Sequence, residues 1–268
     1  NFNQPKNVQL PMSMRRKLLL KLGRLRGGTH FIWLDADEAF TAPFIEEGRQ
    51  YISKLKPGQK LSMQWLTLWK NHTKYRHDLS VWSNNFKDFI VCDDPQHGFE
   101  DNFFSEGRTQ GPNNDDTLIR LDPKLGAVLH FQFVPWSRFQ MKQAWYRCRE
   151  LVYLPDAVES INQTYSITFD DSTAQLKDIP SDWLRDITIP TNISNIETSW
   201  HKDEIFQLFD DFGMVFFEKL QIWHIEELNS EFVLREGRQP KVDRSLSLKW
   251  NDVKSTLKKI ARKTYKFF

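Results

Sequence analysis

The feature that most constrains this chain is a short apolar run that ends in acid. Thr29-His30-Phe31-Ile32-Trp33-Leu34 leads directly into Asp35-Ala36-Asp37-Glu38. A run of this length, with Gly27-Gly28 before it and Asp35 after it, reads as a buried strand. Residues 13–26 ahead of it read as a helix. Met14, Leu18, Leu22 and Leu25 share one face, with Arg15, Arg16, Lys17, Lys21 and Arg24 largely elsewhere. Gly27-Gly28 stops that helix as C-terminal glycines do. A helix, a glycine stop, a strand and an acidic turn suit an α/β sheet, where ligands bind beyond the carboxyl ends of strands.

The rest of the chain extends this pattern. Residues 43–56 read as a helix closed by Pro57-Gly58, and residues 60–69 and 86–92 as strands with a His-, Asn- and Asp-rich loop between them. Residues 93–116 are polar and irregular, and a loop of that length is usually functional or disordered. Residues 127–133 read as a strand and 137–151 as a helix. After Pro155 the character changes to polar segments with prolines, then two helices over 201–228 around Gly213, a hinge-like stretch over 235–243 and a final helix. A soft boundary is placed there, giving units 1–155 and 156–268.

The chain has 268 residues, 40% hydrophobic and 27% charged, with ten Trp and 21 Phe, ordinary for a soluble protein with an aromatic-rich core. No apolar run approaches the ~18 residues of a membrane span, and no signal peptide is visible. Cys92 and Cys148 lie in apolar stretches with no paired spacing, so they read as thiols of a reducing, cytoplasmic compartment. The sequons at Asn71, Asn162 and Asn192 are short enough to arise by chance.

The net charge of +2 hides an asymmetry: residues 1–34 and 254–268 contain Lys and Arg but no Asp or Glu. Basic ends around an acidic middle point to an anionic partner such as a diphosphate or a lipid head group, or else to solvated helix faces.

Asp35 and Asp37, two apart at a strand end, can reach one hard cation. Mg²⁺ or Mn²⁺ takes few protein carboxylates and completes its shell with substrate phosphate, which suits a diphosphate leaving group. The alternative is an acidic loop at the start of the next helix.

The stretch His30-Phe31-Ile32-Trp33-Leu34-Asp35-Ala36-Asp37-Glu38 resembles the D-x-D strand of family 2 glycosyltransferases with the GT-A fold. A second block is similar to the later part of such domains: Val128-Leu129-His130-Phe131-Gln132-Phe133-Val134-Pro135-Trp136, then Lys142-Gln143-Ala144-Trp145-Tyr146-Arg147 and Glu150. The resemblance covers residues 7–155. It implies an α/β, GT-A-like fold (a truncated Rossmann-like sheet with flanking helices), followed by a mainly helical extension. It also implies transfer of a sugar from a nucleotide-diphosphate donor to a carbohydrate or lipid-linked acceptor hydroxyl, with Mn²⁺ or Mg²⁺ as cofactor. An inverting course is expected and a retaining one stays open. Polysaccharide or glycolipid synthesis is the family's commonest use.

By the same resemblance, His130 joins Asp35 and Asp37 as a metal ligand. Without it, a His in an apolar strand is an ordinary core residue. Family members use an acidic base on the acceptor hydroxyl, and Asp93-Asp94 and Glu100-Asp101 are the candidate pairs. Asp94 is favoured because it ends a strand, and adjacent carboxylates raise one another's pKa. Each of these is otherwise a solvated loop acid.

Arg108 suits bidentate phosphate binding, and Glu38, Trp82 and Lys142 are further substrate contacts. Arg76, His72 and His77 are acceptor-side candidates or plain loop residues. Such domains begin with a strand-helix-strand unit that grips base and ribose. The 34 residues before Asp35 hold one helix and one strand, so a truncated chain is expected.

Two further anionic contacts are expected. The face of Trp250, Val253, Leu257 and Ile260, with Lys254, Lys258, Lys259 and Arg262 around it, suits peripheral contact with an anionic membrane or packing on the core. Arg15 or Arg24 is expected to face the diphosphate. Nucleic acid is not among the expected partners. The rivals are a non-catalytic carbohydrate-binding or scaffolding module and a metal-dependent phosphoryl-transfer enzyme.

Overall fold

The structure, a computed structural model, describes residues 12–78, 82–83, 85–99, 108–112, 114, 116–168, 171–172, 174–185, 187–188 and 199–241. The Glu100-Asp101 pair and the helix expected over 250–268 lie outside these residues.

The architecture is mixed α/β. The first helix, α1 (Met12–Leu25), ends in a glycine motif. Gly27, at φ 78°, donates its N–H to the Arg24 carbonyl, and Gly28 donates to Gly23. This double closure satisfies two carbonyls of the last turn. The chain then enters β1 (His30–Ile32) and, after the acidic turn, β2 (Glu38–Phe40) and α2 (Ala42–Ile52). There follow β3 (Lys60–Thr67), β4 (Lys74–Arg76), β5 (Asn85–Cys92), β6 (Leu118–Arg120) and β7 (Val128–His130).

The main sheet runs β1-β5-β3-β7-β2, with β6 also beside β3. Its central strand β3 is parallel to β6 and β7 and antiparallel to β5, while both edges are antiparallel to their neighbours. β3 is buried along most of its length, as a strand flanked on both sides must be. β1 departs from the expected buried strand. It is an edge strand, and Ile32 is half exposed. β1 and β2 sit at opposite ends of the strand order, yet only residues 33–37 join them. At no more than ~3.5 Å per residue this link can span the sheet only if the sheet curls.

Helix α3 (Trp136–Tyr153) is buried on more than one side, through Phe139, Met141, Ala144, Trp145, Arg147, Cys148 and Leu151. Phe139 packs with Trp69 and Phe133 under the sheet. Met141, Ala144, Cys148 and Leu151 join a second core made with α5 (Ser199–Phe212) and α6 (Glu226–Glu236), through Ile205, Phe209, Leu228 and Phe232. The short α4 (Val158–Thr164) packs on α3 as well.

The boundary placed near residue 156 therefore follows a helix that both cores share. Beyond it the chain is not only helical: β8 (Leu176–Asp178) pairs with β4, and Ile179 packs with Leu66 and Leu68. The two helices expected around Gly213 prove to be α5, a 3-10 turn and the later α6. Among the described residues no helix is long and apolar enough to cross a membrane.

Candidate functional site

Asp35-Ala36-Asp37-Glu38 forms a tight turn, closed by the Glu38 N–H donating to the Asp35 carbonyl at 3.1 Å. The turn separates its three acids into different environments.

Glu38 points inward, and its side chain is fully buried. Its carboxylate accepts from Arg108 Nη1 at 2.5 Å and Nη2 at 2.9 Å, from Trp65 Nε1 at 2.8 Å and from the Asp35 N–H at 2.8 Å. Arg108 also reaches Asp35 Oδ2 at 3.3 Å and lies over the Phe89 ring. The phosphate fork expected of Arg108 is thus engaged with protein carboxylates, and Glu38 has four internal donors instead of a substrate. A buried carboxylate needs such compensation, and only the guanidinium can supply two parallel donors.

Asp37 points the other way. Its Oδ2 lies 3.6 Å from His130 Nε2, and its side chain is 41% exposed. His130 reaches it because β2 and β7 pair in register, Glu38 against His130, with the Asp37 carbonyl accepting from the Phe131 N–H at 2.8 Å. The imidazole is buried and stacks on Trp65 at 4.2 Å between ring centres. Burial pulls the Asp37 pKa up, but the attraction of His130, 3.6 Å away, and of the nearby Lys142 brings it below its ordinary value.

The expected convergence of Asp37 and His130 is therefore present. Asp35 leans towards cations, with Arg16 Nη2 4.0 Å from its Oδ1 and Arg108 on its other oxygen. Among the described residues no three His, Cys, Asp or Glu side chains form a complete metal cage. The donors brought together are one carboxylate oxygen, the kind a hard cation takes, and one imidazole nitrogen, the kind a transition metal takes. His130 Nδ1 is buried and has no hydrogen-bond partner among the described residues. Trp65 stacks on the ring and Phe133 meets it edge-on.

Lys142, expected as a substrate contact, is brought by α3 into the same field. Burial lowers its pKa, the charges of Asp37 and Asp35 oppose this, and Arg138 adds to it. His201, from α5, feels Lys142 and Arg138 too; burial first and these charges second push its pKa down to about 4. His201 and Arg138 carried no sequence signal, because their place here depends on packing between α3 and α5. Trp82 packs edge-on against Phe133, which in turn meets the His130 ring. The expected aromatic contact thus sits behind His130 in an aromatic cluster.

The proposed base pair behaves differently from expectation. Asp93 accepts two hydrogen bonds from Arg24, at 2.8 Å each, and one from Gln110 at 3.0 Å. Its burial raises the pKa, but Arg24 and Gln110 outweigh this and hold it below the ordinary carboxylate range. The elevation expected from adjacent carboxylates is therefore absent at Asp93, because a guanidinium sits nearer than Asp94 can act. Arg24 is accordingly committed to Asp93 and not to a diphosphate.

Asp94 caps the following turn through the Gln96 N–H, and its Oδ2 lies 3.0 Å from His97 Nδ1. Arg16 and Arg24, which mark the two acidic places, are eight residues apart on α1, about 12 Å along a helix. Asp94 thus flanks the Asp35–Asp37 turn without sharing it. Arg76 is buried and paired with Asp78 at 2.5 Å. A cavity of about 440 Å³ between α1 and Gly98-Phe99 is lined by Lys17, Leu20, Lys21, Arg24 and Leu25, away from the acidic turn.

Set against family models, curated proteins and solved structures, the chain matches none of them.

Proposed function

We propose that this chain is a glycosyltransferase that uses a nucleotide-diphosphate sugar, with its metal- and acceptor-side residues around the Asp35–Glu38 turn. One observation carries the reading: Asp37 and His130, far apart in sequence, present a carboxylate oxygen and an imidazole nitrogen 3.6 Å apart beside Lys142. The GT-A identity rests on the resemblance of the two sequence blocks, and the mixed α/β sheet is compatible with it.

Asp37 and His130 would hold Mn²⁺ or Mg²⁺, which neutralises charge on a departing diphosphate. The chain's own contribution is electrostatic. Lys142 places positive charge beside Asp37, with Arg138 next to Lys142, where negative charge builds as the sugar–phosphate bond breaks. Glu38 and Arg108 hold the turn so that Asp37 faces outward. The acceptor hydroxyl must lose a proton, and Asp94 remains the described carboxylate proposed for it.

Inorganic pyrophosphate tests the reading without assuming a nucleotide. Mn²⁺ binding to the full chain, followed by electron paramagnetic resonance, should tighten when pyrophosphate is added. The enhancement should disappear in Asp37→Asn and His130→Ala. No Mn²⁺ binding with pyrophosphate present, or variants that bind as tightly as the parent chain, overturns it.

A further inference from the structure

α1 is docked inside out. In a surface helix the apolar stripe normally faces the core and the charges face water. Here the inner face is built from Arg16, Leu20, Gly23 and Arg24. Leu20 is buried, Arg24 is bonded to Asp93, Arg16 lies against Asp35, and a β-carbon at Gly23 would collide with the Phe31 ring.

The leucines turn outward. Met14 is 53% exposed, Leu18 52%, Leu22 47% and Leu25 74%. At 100° per residue these four fall within an arc of about 80°. Exposed Lys21 borders the arc on one side, and exposed Arg15 and Arg26 border it on the other.

We propose that this outward face docks the protein onto an anionic lipid surface. An apolar ridge with cations on both margins fits a plane of anionic head groups: the leucines enter the acyl boundary and the basic side chains reach back to the phosphates. The charge argues against a second copy as the occupant, because residues 1–34 carry no Asp or Glu and two such faces would repel. The ion pairs to Asp93 and Asp35 hold the helix with this face outward, so docking needs no rearrangement. The proposal is independent of the glycosyltransferase reading and of residues 250–268.

The test is co-sedimentation of the full chain with vesicles of phosphatidylcholine mixed with phosphatidylserine, and with phosphatidylcholine alone, at low and high salt. Binding to the anionic vesicles at low salt is expected, and high salt should weaken it. Leu18→Ser/Leu22→Ser should reduce binding roughly tenfold or more, and Arg15→Gln/Lys21→Gln should reduce it and flatten its salt dependence. All these side chains are exposed, so urea midpoints should stay unchanged and separate lost docking from lost folding. Equal binding by the leucine variant, or none to anionic vesicles at low salt, overturns the proposal. So does a vesicle-free dimer that Leu18→Ser/Leu22→Ser dissolves, which would make the occupant a second copy.

Discussion

Glu38 and His130 are direct partners across the β2–β7 pair, and their side chains differ sharply in how they are satisfied. Glu38 takes four donors inside the protein, whereas His130 keeps one nitrogen towards Asp37 and leaves Nδ1 without a hydrogen-bond partner among the described residues. One side chain is fully satisfied inside the protein, and the other is not. Their substitutions should therefore separate stability from binding.

Glu38→Gln should be strongly destabilising, by about 3 kcal/mol. It leaves the Arg108 guanidinium, only 12% exposed, without its main counter-charge. Urea unfolding measures this. A loss under about 1 kcal/mol would mean that Arg108 recovers its pairing through Asp35.

His130→Ala should behave in the opposite way. Losing one ligand should weaken Mn²⁺ binding in pyrophosphate by roughly 10–100-fold, the scale seen when support of a metal site is removed. The stability cost is that of lost packing on Trp65. Calorimetric titration alongside unfolding separates the two effects.

Arg24 and Asp93 should show a coupling of about 1–3 kcal/mol in a double-mutant cycle of Arg24→Met and Asp93→Asn. The pair also carries a pH signature. The folded pKa of Asp93 is depressed, so its contribution is complete above the unfolded value near 4 and is lost as pH falls through the folded value. Asp93→Asn should flatten the stability profile in that acid range. An unchanged profile would detach the helix anchor from this ion pair.

His201 gives a second acid window at higher pH. Its folded pKa is about 4 against an ordinary 6.5, so between these values the unfolded chain binds a proton that the folded chain refuses. Stability from this group is complete above about pH 6.5 and falls as pH drops towards 4. Comparing urea midpoints at pH 7 and pH 5 for the parent and His201→Gln checks it: the variant should lose less than the parent.

Local signals in the sequence were legible. Gly27-Gly28 ended α1 as expected, and β3, β5, α2 and α3 lie within a few residues of their expected positions. The Asp37–His130 approach was also anticipated, through the two family-like blocks. What failed to show was long-range. The leucines of α1 share one face in the sequence, but which face turns inward is decided by Arg16 and Arg24 meeting Asp35 and Asp93, acids that follow the helix.

The turn between β3 and β4, closed by a lone bridge between Leu68 and Tyr75, was hidden in a polar loop. Asn71 makes it by accepting from Thr73 and Lys74 backbone N–H groups, an Asx turn whose N-x-T spelling also reads as a sequon. The Asn162 sequon is likewise structural: its buried amide bonds the Lys219 carbonyl and the Gln221 N–H.

Helix α3 has a consequence of its own. The same rigid rod carries Lys142 to the acidic turn and is wedged by Met141, Cys148 and Leu151 into the helical core. The carboxy-terminal helices are thus the foundation on which the charge beside Asp37 is aimed. A cavity opened at Phe209, which never approaches the turn, would be felt there as a lysine tilted off its mark.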